Sequence, residues 1–224
     1  MKNNTIKKLY EKQIASGKKY SFGRTLNPAS FLFPSNKKKN MGKEISSSYI
    51  GCQGGGGEAD GLRFGALDMA INGCEVISVY NVLKFAGKQR DIREIALDFE
   101  RRGAIVAGAF GVKPDAMFSY LRNVAGMNAK IYGRRDAKKY DELLGVPIPE
   151  GEDPHKKRAA ILTYWNGPGK WTIHSVAIFR LPNGRIRIFN RYTNRLFTDY
   201  DSVAEFLREG IINPVPLSFI VPEI

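Results

Sequence analysis

Hydrophobic periodicity changes once along this chain, and that change limits its architecture more than any other feature. Between Asp68 and Gly126 apolar residues recur at helical spacing; from Ala129 onward they alternate or cluster in short β-rich runs. Val76, Val79, Tyr80 and Leu83 fall at i, i+3, i+4 and i+7, the stripe of one buried helix face, with Gly87 at the stop position. Asp91, with Glu94 three residues on, opens a second helix carrying Ile92, Ile95, Ala96 and Phe99 and ending at Gly103. Pro114-Asp115 opens a third, through Met117, Leu121 and Val124 to Gly126. The runs 129–132, 160–165, 173–179, 185–189, 196–200 and 217–221 read as strands, interrupted by one helix over 202–208. Helices first and antiparallel strands afterwards predict an α+β fold, not alternating βαβ units.

The preceding stretch reads differently. Pro28, Pro34, Lys37-Lys38-Lys39, Ser46-Ser47-Ser48 and Gly54-Gly55-Gly56-Gly57 break regular patterns, so residues 1–62 are expected to form an irregular basic leader. A weakly amphipathic basic helix is expected over residues 2–16. Residues 63–224 then make a single domain, long enough to bury a full core.

No apolar run approaches the roughly 18 residues of a membrane span, and no apolar segment follows the basic N-terminal residues. The expectation is therefore no membrane partner and a cytoplasmic location. Cys52 and Cys74 alone make no extracellular disulfide framework. The net charge of +13 is compatible with nucleic acid, but the basic residues are scattered and accompany no zinc-finger, RNP or recognition-helix pattern. A basic nucleic-acid-associated protein is the third reading of the chain, behind the two below.

Chemistry gathers at Asn72-Gly73-Cys74-Glu75. With Asn72 as the helix cap and Glu75 at the N3 position, Cys74 occupies the first turn. There, free backbone N–H groups and the positive helix end favour a thiolate and can serve as oxyanion donors, whereas the adjacent Glu75 opposes a second negative charge. His174 shares a strand face with Val176 and Ile178. Leu181-Pro182-Asn183-Gly184-Arg185 suits a three-residue connection with Gly184 in the left-handed conformation, a register that pairs Leu181 with Arg185 and Val176 with Asn190. Asn190 then lies diagonal to His174, within reach of a side-chain hydrogen bond; a two-residue turn would send it to the opposite face. Cysteine, histidine and asparagine so arranged need no metal or other cofactor, and the two cysteines and two histidines are too few for a zinc site.

These segments together resemble the C39-like branch of papain-like cysteine peptidases. The likeness rests on the Cys74 helix, Phe85-Ala86-Gly87-Lys88, Asp91-Ile92-Arg93-Glu94-Ile95-Ala96, the glycine-rich turn at 108–111, Pro114-Asp115-Ala116 and the strand from Trp171 to Ile178. It covers roughly residues 66–192. The resemblance implies a papain-like cysteine peptidase fold, with an N-terminal helical lobe packed against an antiparallel β-sheet. It also implies a hydrolase acting on a peptide or amide substrate through a thioester. Cys74 would be the nucleophile, His174 the general base and acid, and Asn190 the residue that orients the imidazole. The family commonly carries a glutamine six residues before the cysteine, where this chain has Asp68; Gln53 or Asn72 is then the candidate oxyanion donor. Asp68 and Glu75 keep open a second reading, a binding or regulatory module that retains the fold without turnover.

Overall fold

The computed structural model describes residues 29–45, 48–54, 56–105, 111–166, 173–191, 195–209 and 214–224. The basic helix expected over 2–16, most of the turn at 108–111, and Trp171 lie outside the described residues. A six-stranded antiparallel sheet forms the centre. Its strands are β3 (Ala129–Gly133), β4 (Ala159–Trp165), β5 (Ile173–Arg180), β6 (Ile186–Phe189), β7 (Phe197–Tyr200) and β8 (Val215–Pro222), in the spatial order β3-β8-β4-β5-β6-β7. The α+β class follows, with each strand within a few residues of the run expected for it.

One face of the sheet carries the helices of the first half. These are α3 (Cys74–Phe85), α4 (Ile92–Arg101) and α5 (Pro114–Asn123). Ile77, Val79, Ile95, Phe99 and Tyr120 form one core with Ala159, Ile161, Ala177, Phe179, Phe189 and Ile220 of the sheet, and Phe85 stacks on Phe179 at 4.2 Å. The Asp91 carboxylate caps α4 by accepting from the Arg93 N–H at 2.8 Å, and Pro114 occupies the first turn of α5. Helix α3 is buried around most of its circumference, from Cys74 to Leu83, because the neighbouring helices and the segment around Ile50 enclose what the sheet leaves open.

The opposite face is covered too, which periodicity does not reveal. After a 3₁₀ segment over Arg134–Lys139 comes the short α6 (Tyr140–Leu144), and α7 (Val203–Arg208) follows β7. Tyr140 stacks on Phe219 at 4.2 Å and Phe206 meets Tyr164 edge-on at 5.5 Å, closing a second core with Leu162, Val176, Ile178 and Ile188. The Asp141 carboxylate joins the two helices by accepting from the Val203 N–H at 2.6 Å and the Ala204 N–H at 3.2 Å. Covered on both faces, β4 reads as an almost unbroken apolar run.

The segment expected to be an irregular leader contains a helix, α1 (Ala29–Met41), which runs through Pro34 and the lysine triplet. Proline removes one intrahelical hydrogen bond, and tertiary bonds from one helix face hold the turn beyond it. Four residues apart, Asn36 donates to the Gly65 carbonyl and to Glu100, while Asn40 exchanges two hydrogen bonds with the Arg63 backbone. Arg63 begins, and Gly65 lies in the turn of, a two-stranded hairpin, β1 (Arg63–Phe64) and β2 (Leu67–Asp68), which leads into α2 (Met69–Asn72) and so to α3. Ile50, Ala59 and Leu62 enter the first core.

Candidate active site

Gly73, not Asn72, caps α3, which puts Cys74 at the first helical position. The correction comes from packing: a Cβ on Gly73 would lie 2.1 Å from the Met69 sulfur, so only hydrogen fits between α2 and α3. Asn72 is engaged elsewhere. Its amide donates to the Phe64 carbonyl at 3.3 Å and its oxygen accepts from the Gly111 N–H, drawing the segment before α5 onto the first turn of α3.

The β5–β6 hairpin has the expected register. Leu181 N–H donates to the Arg185 carbonyl at 2.7 Å, Gly184 has φ +79°, and Ala177 pairs with Phe189. The ladder ends there. Two steps further the register would set Arg191 opposite Ser175, but Asn190 has φ +64° and takes the chain out of the strand. The peptide groups of Ser175 facing that gap find other partners: its carbonyl accepts from the Asn190 side-chain amide at 3.3 Å, and its N–H reaches the Cys74 sulfur. The Asn190 backbone carbonyl accepts from Nε2 of His174. Cys74, His174 and Asn190 therefore converge on the His174–Ser175 step of β5.

The convergence differs from the expected relay in two ways. The Asn190 side chain does not orient the imidazole; the left-handed backbone turns its amide to Ser175 and offers the carbonyl to His174 instead. In a neutral ring this bond fixes the Nε2–H tautomer and leaves Nδ1 as an acceptor. Secondly, the sulfur donates to Glu75 Oε2 at 3.1 Å, and no hydrogen bond joins it to His174. By strand alternation His174 belongs to the face of Val176 and Ile178, where its ring meets Tyr164 edge-on at 5.7 Å, whereas α3 packs on the face of Ala177 and Phe179.

Burial keeps the Cys74 thiol and the His174 imidazole neutral at rest. Cys74 is 4% exposed; burial, then the Glu75 carboxylate, hold its thiol well above the ordinary range, with the Ser175 N–H opposing them. Burial lowers His174 to about 4, against the pull of the Asn190 carbonyl and with a contribution from Arg191. Glu75, 1% exposed, is pushed up to about 7 by burial although the thiol and the Val112 N–H both donate to it. A Cβ on Gly111 would stand 2.7 Å from Glu75 Oε1, and Gly111 has φ +71°, so this approach requires glycine twice over.

The other predicted residues divide. Asp68 pairs with Arg63 at 2.7 Å, which turns its carboxylate away from the role of an oxyanion donor. Gln53 lies in a strap, residues 48–54, whose neighbours touch both sides of the site. Asn190 N–H donates to the Gly51 carbonyl at 2.8 Å, and a Cβ on Gly54 would meet Ala70 of α2 at 3.4 Å. Among the described residues, the Gln53 side-chain oxygen is buried without a hydrogen-bond partner. Asn81 clamps the same strap to α3, accepting from the Ile50 N–H at 2.9 Å and donating to the Ile50 carbonyl at 2.8 Å. Cys52 and Cys74 are both free thiols, and His155 is exposed.

Ser175 is the participant that residue types alone do not announce. Extending the hairpin register by one step, past Asn190, was the signal for it. Among the described residues no three or more His, Cys, Asp or Glu side chains gather as metal ligands would, and no helix is long and apolar enough to cross a membrane. Comparison with known proteins finds no matching family model and no similar curated protein.

Proposed function

We propose that this chain is a cysteine-dependent hydrolase of peptide or amide bonds, of the papain-like, C39-like type, with Cys74 as nucleophile. The observation that supports it most is the backbone of Ser175, whose N–H turns to the Cys74 sulfur and whose carbonyl accepts from the Asn190 amide, next in sequence to a histidine whose tautomer is set by Asn190. A cysteine helix packed against an antiparallel sheet supports the fold part of the reading.

Because thiol and imidazole are both neutral at rest, the sulfur attacks as it loses its proton rather than as a preformed thiolate. The scissile carbonyl carbon gains a bond to sulfur, and its oxygen takes up charge next to the first-turn N–H groups of α3. Collapse expels the protonated amine and leaves a thioester, which water hydrolyses. The test is release of fluorophore from a library of amide-linked fluorogenic peptides. Release that Cys74→Ser abolishes, with acyl-Cys74 trapped on rapid acid quench, is expected; no release and no adduct contradicts the proposal.

One observation favours the second reading, a binding or regulatory module without turnover: Cys74 is almost fully buried and donates its proton to a carboxylate. Saturable peptide binding that survives Cys74→Ser, with no product from any library member, would distinguish it.

A further inference from the structure

The Cys74 thiol donates its hydrogen bond to Glu75 Oε2. A buried carboxylate next to a nucleophile is costly unless partnered, and the fold supplies its partners with some care. Glu75 sits one residue into α3, 1% exposed, with Oε2 at 3.1 Å from the sulfur. The groups that face it are Cys74 and its own N–H on α3 and the Val112 N–H ahead of α5, while Ser175 of β5 approaches the sulfur. Gly111 is shaped to admit it, and Asn72 fastens Gly111 in place.

We infer that Glu75 Oε2, rather than His174, takes the Cys74 proton when the sulfur attacks, making Glu75 a catalytic residue of this site. The inference rests on the hydrolase reading above. Thiol with carboxylate and thiolate with carboxylic acid differ only by a proton moved along the Cys74–Glu75 hydrogen bond, so the pair carries a single negative charge in both forms. In the forward step the S–H bond breaks, its proton goes to Glu75 Oε2, and the sulfur lone pair forms the C–S bond as the carbonyl π pair moves to oxygen. On collapse the C–N bond breaks and the departing nitrogen takes the proton from Glu75. Water then adds to the thioester and passes a proton to Glu75. The C–S bond breaks, and the leaving sulfur recovers that proton. His174, its Nε2–H held by Asn190 on the other face of the sheet, takes no proton in these steps.

This assignment reverses the sign of a simple expectation. If Glu75 merely repels negative charge, Glu75→Gln lowers the barrier to thiolate and speeds alkylation. As the proton acceptor, its loss slows it. The experiment measures the iodoacetamide rate at Cys74 by peptide mass spectrometry from pH 5 to 9, with Cys52 as internal reference, in the full chain and in Glu75→Gln, Glu75→Asp and His174→Ala. The expected results are a rate step near pH 7 in the unaltered protein, a loss of about tenfold or more with Glu75→Gln, partial recovery with Glu75→Asp, and retention of the step in His174→Ala. Acceleration in Glu75→Gln, or an unaltered protein with no step near pH 7, overturns the inference; the latter outcome needs no folded variant. Alkylation needs no substrate, so failure of the hydrolase reading shows separately, as absent turnover with the Glu75-dependent step intact.

Discussion

The carbonyl oxygen of Asn190 accepts from Nε2 of His174, while the side-chain amide of the same residue donates to the Ser175 carbonyl at 3.3 Å. One asparagine thus binds two successive residues of β5, and only a left-handed backbone, φ +64°, allows both bonds. Asparagine tolerates this conformation better than most residues, and glycine better still.

Asn190→Gly and Asn190→Ala therefore separate backbone from side chain. The glycine variant loses only the bond to Ser175, an unmet buried acceptor worth about 1–3 kcal/mol. The alanine variant carries roughly a further 1 kcal/mol for the left-handed conformation. Denaturant unfolding should give that order, and Cys74 alkylation in Asn190→Gly should stay within about twofold of the unaltered chain. A loss of about tenfold or more in Asn190→Gly would give the side-chain bond to Ser175 a role in the reactivity of the sulfur.

Glu100 makes stability depend on pH. It is fully buried, accepts from the Asn36 amide at 2.6 Å and the Gly65 N–H at 2.7 Å, and burial raises it to about 7 from an ordinary value of 4.5. The folded state thus binds its proton more tightly than the unfolded chain does. That contribution is complete below about pH 4.5 and is lost as pH rises through about 7, amounting to about 3 kcal/mol. Unfolding at pH 4.5 and 8.5 should show Glu100→Gln reducing the fall in stability by that order, with Glu75 accounting for a parallel decline in both proteins. An equal fall in both would mean that Glu100 does not titrate across this range.

The strap over the site depends on Asn81, whose amide replaces a strand partner for Ile50. Asn81→Ala leaves the Ile50 N–H and carbonyl without these partners, a loss of about 1–3 kcal/mol. Hydrogen exchange at the Ile50 amide should accelerate well beyond that in the α4 amides, and proteolysis within residues 48–54 should increase. Unchanged exchange at Ile50 would show that the strap is held by its other contacts.

Gly111→Ala tests the seat of Glu75. The new methyl would meet Oε1 at 2.7 Å on a backbone with φ +71°. The expected cost is about 1–3 kcal/mol, with a change in the pH dependence of Cys74 alkylation, because the carboxylate must shift. A destabilised protein with an unaltered alkylation profile would uncouple Gly111 from the sulfur.

Much of the fold was legible where local signals and burial agree. Alternation and turn chemistry located the six strands, and Leu181 to Arg185 alone determined the register that brings Asn190 beside His174. What escaped depends on tertiary bonds. Helix α1 persists through Pro34 because Asn36 and Asn40 are anchored outside it, and α6 is too short for periodicity, held by the Tyr140–Phe219 stack. At the site, residue types pointed to Cys74, His174 and Asn190, but the direction of each hydrogen bond follows from the end of β6 and the φ of Asn190. Glu75, read as a helix-cap partner and an electrostatic obstacle, is the sulfur's hydrogen-bond acceptor.

The most direct test of Cys74 as a nucleophile is acylation by an activated ester, p-nitrophenyl acetate, at pH 7.5 under single-turnover conditions with acid quench and peptide mapping. The account predicts an acetyl group on buried Cys74 ahead of the more exposed Cys52, hydrolysed on longer incubation. Acetylation of Cys52 while Cys74 stays unmodified would contradict it.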